Sequence, residues 1–422
     1  LALHTKKLNR LVRALGPAYL RIGGSEADKI HYFEAPDNDP DALVMTREQW
    51  DELHEFLRRH QLKLFFTCKY GLFQRSEHGH WDGSELERLL AYSRDRDYHI
   101  DVFELGNELN AYWAFHGLRS QPGPRKLAQD YRSFFALVKR YYPDARICGP
   151  GSAFWPRLGE TIRPISNITP RLLQELEGEL DIVDWHYYPF QSERSPVHTR
   201  RPRRKNMLDP ASYAYFERYS VELARLRDRH QPRAELWTGE SGSAQCGGQP
   251  YRSDRFVSGF WWADQLGQGA RLGQSVMVRQ ALVGGDYGLV DRLTLKARPD
   301  YWVSWLWQQL MGRNVYPVSS SSPSLRAYLH SSARREGYSL LLINVDERPV
   351  PVTLQGLGAE TSRFVVTANR LVSKKVSING VRPSLRRGRV ALEDFPQPET
   401  LPILPPYSIS FWELDEASGP RG

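Results

Sequence analysis

Short apolar runs alternate with amphipathic stretches along the chain up to about residue 310. The runs fall at 19–23, 63–67, 102–106, 146–149, 182–186, 235–238 and 275–279. Between them, apolar positions recur with helical spacing at 47–59, 84–94, 126–142, 211–229 and 253–266. The first of these carries its own start signal, Thr46 as N-cap with Gln49 three residues later. Strand, helix, strand at this spacing predicts a parallel sheet with helices outside it. The runs are apolar on both faces, which suits a (β/α)8 TIM barrel better than a half-exposed sheet. Seven strands are visible where a barrel needs eight. The chain opens in a helical pattern at 7–14 that leads straight into the first run, which places the first barrel strand upstream of residue 1. An open doubly wound sheet is the alternative.

The texture changes near residue 315. Short alternating runs follow at 325–329, 338–344, 350–354, 362–367, 376–378, 389–392 and 408–413, separated by Gly, Pro and Asn. Helical signals vanish. This pattern predicts a C-terminal antiparallel β-sandwich. The expected organisation is a barrel at 1–315, a sandwich at 316–415 and a tail at 416–422.

Composition narrows the function classes. Hydrophobic content of 41% and charged content of 25% suit a globular protein, and no apolar run is long enough to span a membrane. A net charge of +8, carried mostly by Arg, favours a polyanionic partner. No nucleic-acid motif is found, so nucleic acid is not expected among the partners. Cys68, Cys148 and Cys246 lie far apart without a CxxC pair. They read as three buried free thiols, and neither metal nor cofactor is expected.

In such a barrel the reacting groups stand at the carboxyl ends of the strands. Three runs end in polar residues that a core would reject. They are Phe103-Glu104-Leu105-Gly106-Asn107-Glu108, Asp184-Trp185-His186-Tyr187-Tyr188, and Glu235-Leu236-Trp237-Thr238-Gly239-Glu240-Ser241-Gly242. Counted from a missing first strand, Glu108 closes strand four and Glu240 strand seven, facing each other across the mouth. A retaining glycosidase needs two carboxyl groups about 5–5.5 Å apart, one a protonated acid and one an ionised nucleophile. Glu104, within its strand, is expected to be a buried structural acid.

These residues carry a family resemblance. The stretches Leu15-Gly16-Pro17-Ala18-Tyr19-Leu20-Arg21-Ile22-Gly23-Gly24, Leu105-Gly106-Asn107-Glu108, Trp185-His186-Tyr187-Tyr188, Gly239-Glu240-Ser241, Val278-Arg279-Gln280 and Asp300-Tyr301-Trp302 resemble glycoside hydrolase family 79, the heparanase family, in the family's order. The resemblance implies a single-chain bacterial form that cleaves heparan sulfate or heparin-like glycosaminoglycan as an endo-β-D-glucuronidase. It implies Glu108 as acid/base and Glu240 as nucleophile. It further implies Asn107 as donor to the sugar 2-substituent and Tyr188 as partner of the nucleophile. Asp28 is implied to bind uronate hydroxyls, and Cys246, Gly247 and Tyr287 to bind the uronate carboxylate. Gln280 falls at a substrate-lining position. The family often has Tyr-Gly-Gly-Gly where this chain has Gln245-Cys246-Gly247-Gly248. A Gly pair can aim its amides at a carboxylate, and equally it can simply make a tight turn.

A basic loop follows Tyr188. Its Arg200, Arg201, Arg203 and Arg204 suit bidentate binding of sulfate groups, or else form a solvated, mobile loop. Other readings are an exo-β-glucuronidase, a hyaluronan-cleaving relative, or a catalytically silent heparin-binding protein. The substrate class implies a secreted or periplasmic monomer.

Overall fold

The computed structural model describes residues 3–36, 42–71, 79–385, 388–398 and 402–416. Helix α1 (Lys6–Leu15) leads into strand β1 (Tyr19–Ile22). Strand and helix then alternate: α2 (Arg47–His60), β2 (Lys63–Cys68), α3 (Ser84–Asp95), β3 (Val102–Leu105), α4 (Pro124–Tyr141), β4 (Arg146–Trp155), α5 (Thr169–Glu175), β5 (Ile182–Tyr187), α6 (Pro210–His230), β6 (Glu235–Ser241), α7 (Phe256–Arg271), β7 (Gln274–Arg279) and α8 (Pro299–Leu310). The seven strands pair in chain order, each parallel to its neighbour. This is the near-closed TIM-barrel architecture expected from the runs. Among the described residues the ladder does not close between β1 and β7. A cavity of about 1060 Å³ opens there, lined by Arg21, Gly23, Met277 and Gln280 among others.

The barrel interior is built in layers. Tyr19, Phe65, Val102, Cys148, Ile182 and Trp237, one from each of β1 to β6, pack together with Val276 and Val278 of β7 as an apolar floor. Side chains on a strand return to the same face every second residue. Two residues beyond that floor stand Arg21, Thr67, Glu104 and Asp184, which form a polar layer above it. On β6 the same step reaches Gly239, where a Cβ would run into the Asp184 carboxylate, and a Cβ at Gly151 would meet Glu104. Glycine at these two positions makes room for the buried carboxylates.

Helix α2 starts as its sequence predicts. The Thr46 hydroxyl accepts from the Gln49 amide and the Gln49 side chain accepts from the Thr46 amide. Helix α5, with Pro170 in its first turn, is too short for its periodicity to stand out in the sequence. The helix read at 253–266 begins only at Phe256. The run at 389–392 is no strand: it leads into the 3-10 turn Leu392–Asp394.

The second sheet holds β8 (Met311–Tyr316), β9 (Leu325–Ser332), β10 (Tyr338–Asn344), β11 (Glu360–Thr367), β12 (Ser377–Ile378) and β13 (Ser408–Leu414). Their order is β8-β9-β10-β13-β11-β12, antiparallel throughout. One face, with Leu329, Leu340, Leu342 and Trp412, packs on Leu404 of the small ribbon Val350–Pro351/Ile403–Leu404. The other, with Tyr328, Leu341, Ile343, Phe364 and Phe411, shares a core with α7 and α8. The sheet starts at Met311, directly after α8, so it begins before the boundary expected at 315/316. The tail from 417 onward lies outside the described residues. No helix among the described residues is long and apolar enough to cross a membrane.

Candidate active site

Glu108 and Glu240 reach the same point by different backbone devices. Glu108 follows β3 and Gly106-Asn107, and its own backbone is left-handed, with φ 52° and ψ 49°. Non-glycine residues avoid that region, so the surrounding structure must impose it. Glu240 lies on β6 beyond a register shift: Trp185 pairs with Thr238, but the next residue, His186, pairs with Glu240. The extra residue is Gly239, and such a bulge re-aims the side chain after it. Both glutamates are buried. Glu108, His186 and Glu240 each present an atom within 4.8 Å of the other two.

Arg21 of β1 organises the floor of this cluster. Its Nη1 donates to Glu240 Oε2 at 2.7 Å, and its Nη2 to Glu104 Oε2 at 2.7 Å and Asn107 Oδ1 at 3.0 Å. Thr67 also donates to Glu104, at 2.6 Å. The Tyr188 hydroxyl donates to Glu240 Oε1 at 2.6 Å. Both nucleophile-candidate oxygens therefore accept a hydrogen bond. His186 Nδ1 lies 3.2 Å from Glu108 Oε1, while its Nε2 sits 3.6 Å from Asp184 and 3.8 Å from Glu104. Those last two separations are too long for hydrogen bonds, so the contact is one of charge.

The electrostatics push the two glutamates apart. Burial raises the Glu108 pKa and the Glu240 charge adds to it, against the lowering pull of His186. Burial would raise Glu240 as well, but His186, Arg21 and the Tyr188 hydrogen bond outweigh it and hold its pKa below the usual value. Glu104 is lowered to about 2: burial opposes this, and Arg21 and His186 win. Burial pulls His186 down, yet the carboxylates of Glu240, Asp184 and Glu104 carry it well above its ordinary value. Burial lifts Asp184 to about 6. A carboxyl shifted toward its protonated form thus stands beside one shifted toward its ionised form. The two acid–histidine groups have metal-like spacing. Arg21 already supplies a cation to both, so the donor set has its counter-charge within the protein.

Asn107 is buried, and its Oδ1 is fixed by Arg21. Asp28, which the resemblance assigns to uronate hydroxyls, is buried like Asn107 and the two glutamates, with one oxygen accepting the Tyr70 amide at 2.9 Å and the other the Asn107 amide at 3.1 Å. Burial raises its pKa to about 6 despite those bonds. The Asn107 contact ties Asp28 to the backbone just before Glu108.

Cys246, Gly247 and Gly248 all have positive φ, at 56°, 82° and 84°. Cys246 is exposed, which corrects the reading of three buried thiols; Cys68 and Cys148 are buried as expected. The turn after β6 lifts Cys246 out of the core. Arg194 ties the turn down, donating to Gly248 O at 2.8 Å and to Asp286 at 2.7 Å. Tyr287 stands 6.3 Å, ring to ring, from Tyr188. Burial and the Glu240 charge push it up to about 12, offset in part by a hydrogen bond with Gln280. Gln280 itself lines the cavity between β1 and β7.

In the basic loop, Arg200 is already committed. Its guanidinium lies 4.5 Å from the Tyr215 ring and 5.2 Å from the Phe190 ring, and donates to Ser212 Oγ at 2.8 Å. It is an anchor, not a free sulfate ligand. Arg201, Arg203 and Arg204 are exposed. Sequence reasoning gave no role to Arg21 or His186. A charged residue in the middle of Tyr19-Leu20-Arg21-Ile22 was the available signal, because a core strand rejects it unless it meets a buried acid.

The model described as "Glycosyl hydrolase family 79, N-terminal domain" matches residues 1–267. Among curated relatives, the chain is 28% identical to heparanase-like protein 1 of Arabidopsis thaliana, over 81% of this chain and 64% of that one. That relative is therefore spanned by less than two thirds of its length. The chain is 28% identical to heparanase of Bos taurus, over 98% of this chain and 85% of that one. It is 25% identical to hyaluronoglucuronidase of Hirudo nipponia, over 98% and 90%. Among solved structures, a family 51 α-L-arabinofuranosidase from Bifidobacterium longum superposes with a TM-score of 0.70 at 13% identity, over 97% of this chain and 89% of that one. This last likeness bears on the fold alone.

Proposed function

The chain belongs to glycosyl hydrolase family 79, and from that premise we propose that it is a retaining endo-β-D-glucuronidase acting on heparan sulfate or a heparin-like glycosaminoglycan. The observation that carries the mechanism is the split between two buried glutamates with oxygens within 4.8 Å, Glu108 raised and Glu240 lowered. Glu240, ionised and aligned by Arg21 and Tyr188, attacks the anomeric carbon and forms a glycosyl ester. Glu108 gives its proton to the leaving oxygen, then takes one from the water that releases the sugar. Because Arg21 holds Oδ1 of Asn107, its Nδ2 is the end that donates to the sugar 2-hydroxyl. The Cys246–Gly248 turn and Tyr287 take the uronate carboxylate. Support for the substrate class comes from the heparanase relatives and the net charge of +8. A secreted or periplasmic location belongs to the same proposal.

A hyaluronan-cleaving activity is the second reading, favoured by the full-length match to the hyaluronoglucuronidase. Product analysis separates the readings. Heparan sulfate, hyaluronan and an aryl β-D-glucuronide are each incubated with the protein. Shortened heparan sulfate chains are expected; release of free glucuronic acid alone means exo action, and cleavage of hyaluronan alone means the second reading. Glu240→Gln is expected to remove all of these activities with the fold intact, and near-normal turnover contradicts the nucleophile assignment.

A further inference from the structure

We infer that Asn110, locked in orientation by Glu160, is a positioning residue for the proposed acid/base. The inference rests on the reading of Glu108 as that acid/base and deepens it. Glu108 stands on a left-handed backbone, with φ 52° and ψ 49°. A non-glycine residue keeps that conformation only where its surroundings over-determine it. Just before it, the Asn107 amide is bonded to Asp28 at 3.1 Å. Just after it comes the 3-10 turn Leu109–Ala111, in which the Ala111 amide donates to Glu108 O at 2.8 Å. The middle residue of that turn, Asn110, is fully buried.

The Asn110 side chain grips the end of β4. Its Oδ1 accepts from the Ala153 amide at 2.9 Å, and its Nδ2 donates to Ala153 O at 3.0 Å. The second hydrogen of Nδ2 goes to Glu160 Oε2, at 2.9 Å. Glu160 thereby sets which end of the amide faces which way. It is in turn fixed by a hairpin at the end of β4, where Phe154 pairs with Gly159 and Trp155 with Leu158. That hairpin brings Glu160 over Ala153, and its amide donates to Ala153 O at 2.8 Å. The buried Glu160 carboxyl also accepts from Thr169 N at 2.8 Å and Asn167 Nδ2 at 3.2 Å.

The clamp closes a loop through the site. Ala153 is the register partner of His186 on β5, and His186 Nδ1 lies 3.2 Å from Glu108 Oε1. Asn110 therefore ties the segment that carries Glu108 to the strand position beside its charge partner. A buried amide with its hydrogen bonds made adds little net stability, because it gave up equivalent bonds to water. What the clamp fixes is geometry, and proton transfer needs a carboxyl within hydrogen-bond reach of the leaving oxygen. Without it the left-handed backbone relaxes and carries the Glu108 carboxyl off that line.

The test compares two substrates. The leaving group of 2,4-dinitrophenyl β-D-glucuronide departs without a proton, whereas that of phenyl β-D-glucuronide needs one from Glu108. In Asn110→Ala, kcat/KM for the phenyl glucuronide falls at least ~10-fold more than for the dinitrophenyl one, as expected when a general acid is misplaced. Glu160→Gln sets an amide NH2 against donors and moves the ratio the same way by a smaller factor. Asn110→Asp sets two carboxyl groups face to face. Adding Glu160→Gln to it restores a hydrogen bond between the two side chains and recovers part of the ratio. A merely structural lesion lowers both rates together, so equal losses on the two substrates, or none, overturn the inference. Glu108→Gln is the benchmark. Equal losses there sink the acid/base reading; a selective loss there with none at Asn110 sinks the positioning role alone. A crystal structure of Asn110→Ala, or of Glu160→Gln where the first does not fold, reads the backbone without turnover. Glu108 leaves the left-handed region and its contact with His186 opens. An unmoved Glu108 overturns the inference whatever the substrate.

Discussion

At the scale of single residues, the two glutamates differ by their neighbours. With Glu108 as the proposed acid, activity is expected to fall as pH rises through its raised pKa; with Glu240 as the proposed nucleophile, it is expected to fall as pH drops through its lowered pKa. The kcat/KM profile is therefore bell-shaped. Tyr188→Phe removes a donor from Glu240, so its pKa climbs and the acid limb of the profile is expected to move to higher pH. An acid limb that stays in place detaches Tyr188 from the nucleophile. Cys246 offers a second check, because it is the exposed thiol while Cys68 and Cys148 are buried. Partial desolvation of its sulfur and the Glu108 charge raise its pKa, so alkylation quickens toward alkaline pH. Iodoacetamide should label Cys246 alone in the folded protein and stop turnover, with bound substrate protecting; a labelled and fully active protein places the thiol away from the cleft. Glu108 and Glu240 stood out as candidates in the sequence because they close barrel strands with residues that a core rejects, whereas Asn107 and Tyr188 were singled out through the family resemblance. The two backbone hydrogen bonds of Asp28 were not legible, since a carboxylate accepting backbone amides has no sequence mark.

At the scale of elements, the barrel strands were readable because continuous burial makes them apolar on both faces. The bulge at Gly239 was not, because register is set between strands. It is nonetheless what turns Glu240 into the mouth. Gly239→Ala would drive a Cβ into the Asp184 carboxylate. A cost of about 1–3 kcal/mol is expected, the range for overpacking a dense core, together with loss of kcat. Unaltered melting and turnover mean that the strand has another way to carry Glu240. Helix α2, by contrast, was announced in full by Thr46 and Gln49. Thr46→Ala should lower stability by about 1 kcal/mol with kcat unchanged, as measured by urea unfolding and turnover together.

At the scale of the whole molecule, the sandwich is fused to the barrel. Helices α7 and α8 share a core with β9, β10, β11 and β13. Buried Asp264 of α7 accepts from Arg326 at 2.7 Å and from Tyr328 at 2.6 Å, both on β9. Calorimetry should show one unfolding transition, and Arg326→Met should lower it as a unit, by on the order of 3 kcal/mol for a broken buried pair. Two resolved transitions contradict a shared core. The change from helical to alternating pattern told of two layers in the sequence. It could not tell that the second sheet begins at Met311, because α8 runs into β8 without a linker.

The central claim is that Glu240 forms a covalent bond to the sugar while Glu108 moves protons. The most direct measurement is mass spectrometry of peptides after incubation with a 2-deoxy-2-fluoro-glucuronyl fluoride, which slows breakdown of a glycosyl–enzyme ester. The account predicts a single glucuronyl adduct on the peptide that carries Glu240, absent in Glu240→Gln. An adduct on Glu108, or rapid turnover of a glucuronide substrate with inversion at the anomeric carbon and no adduct, contradicts it.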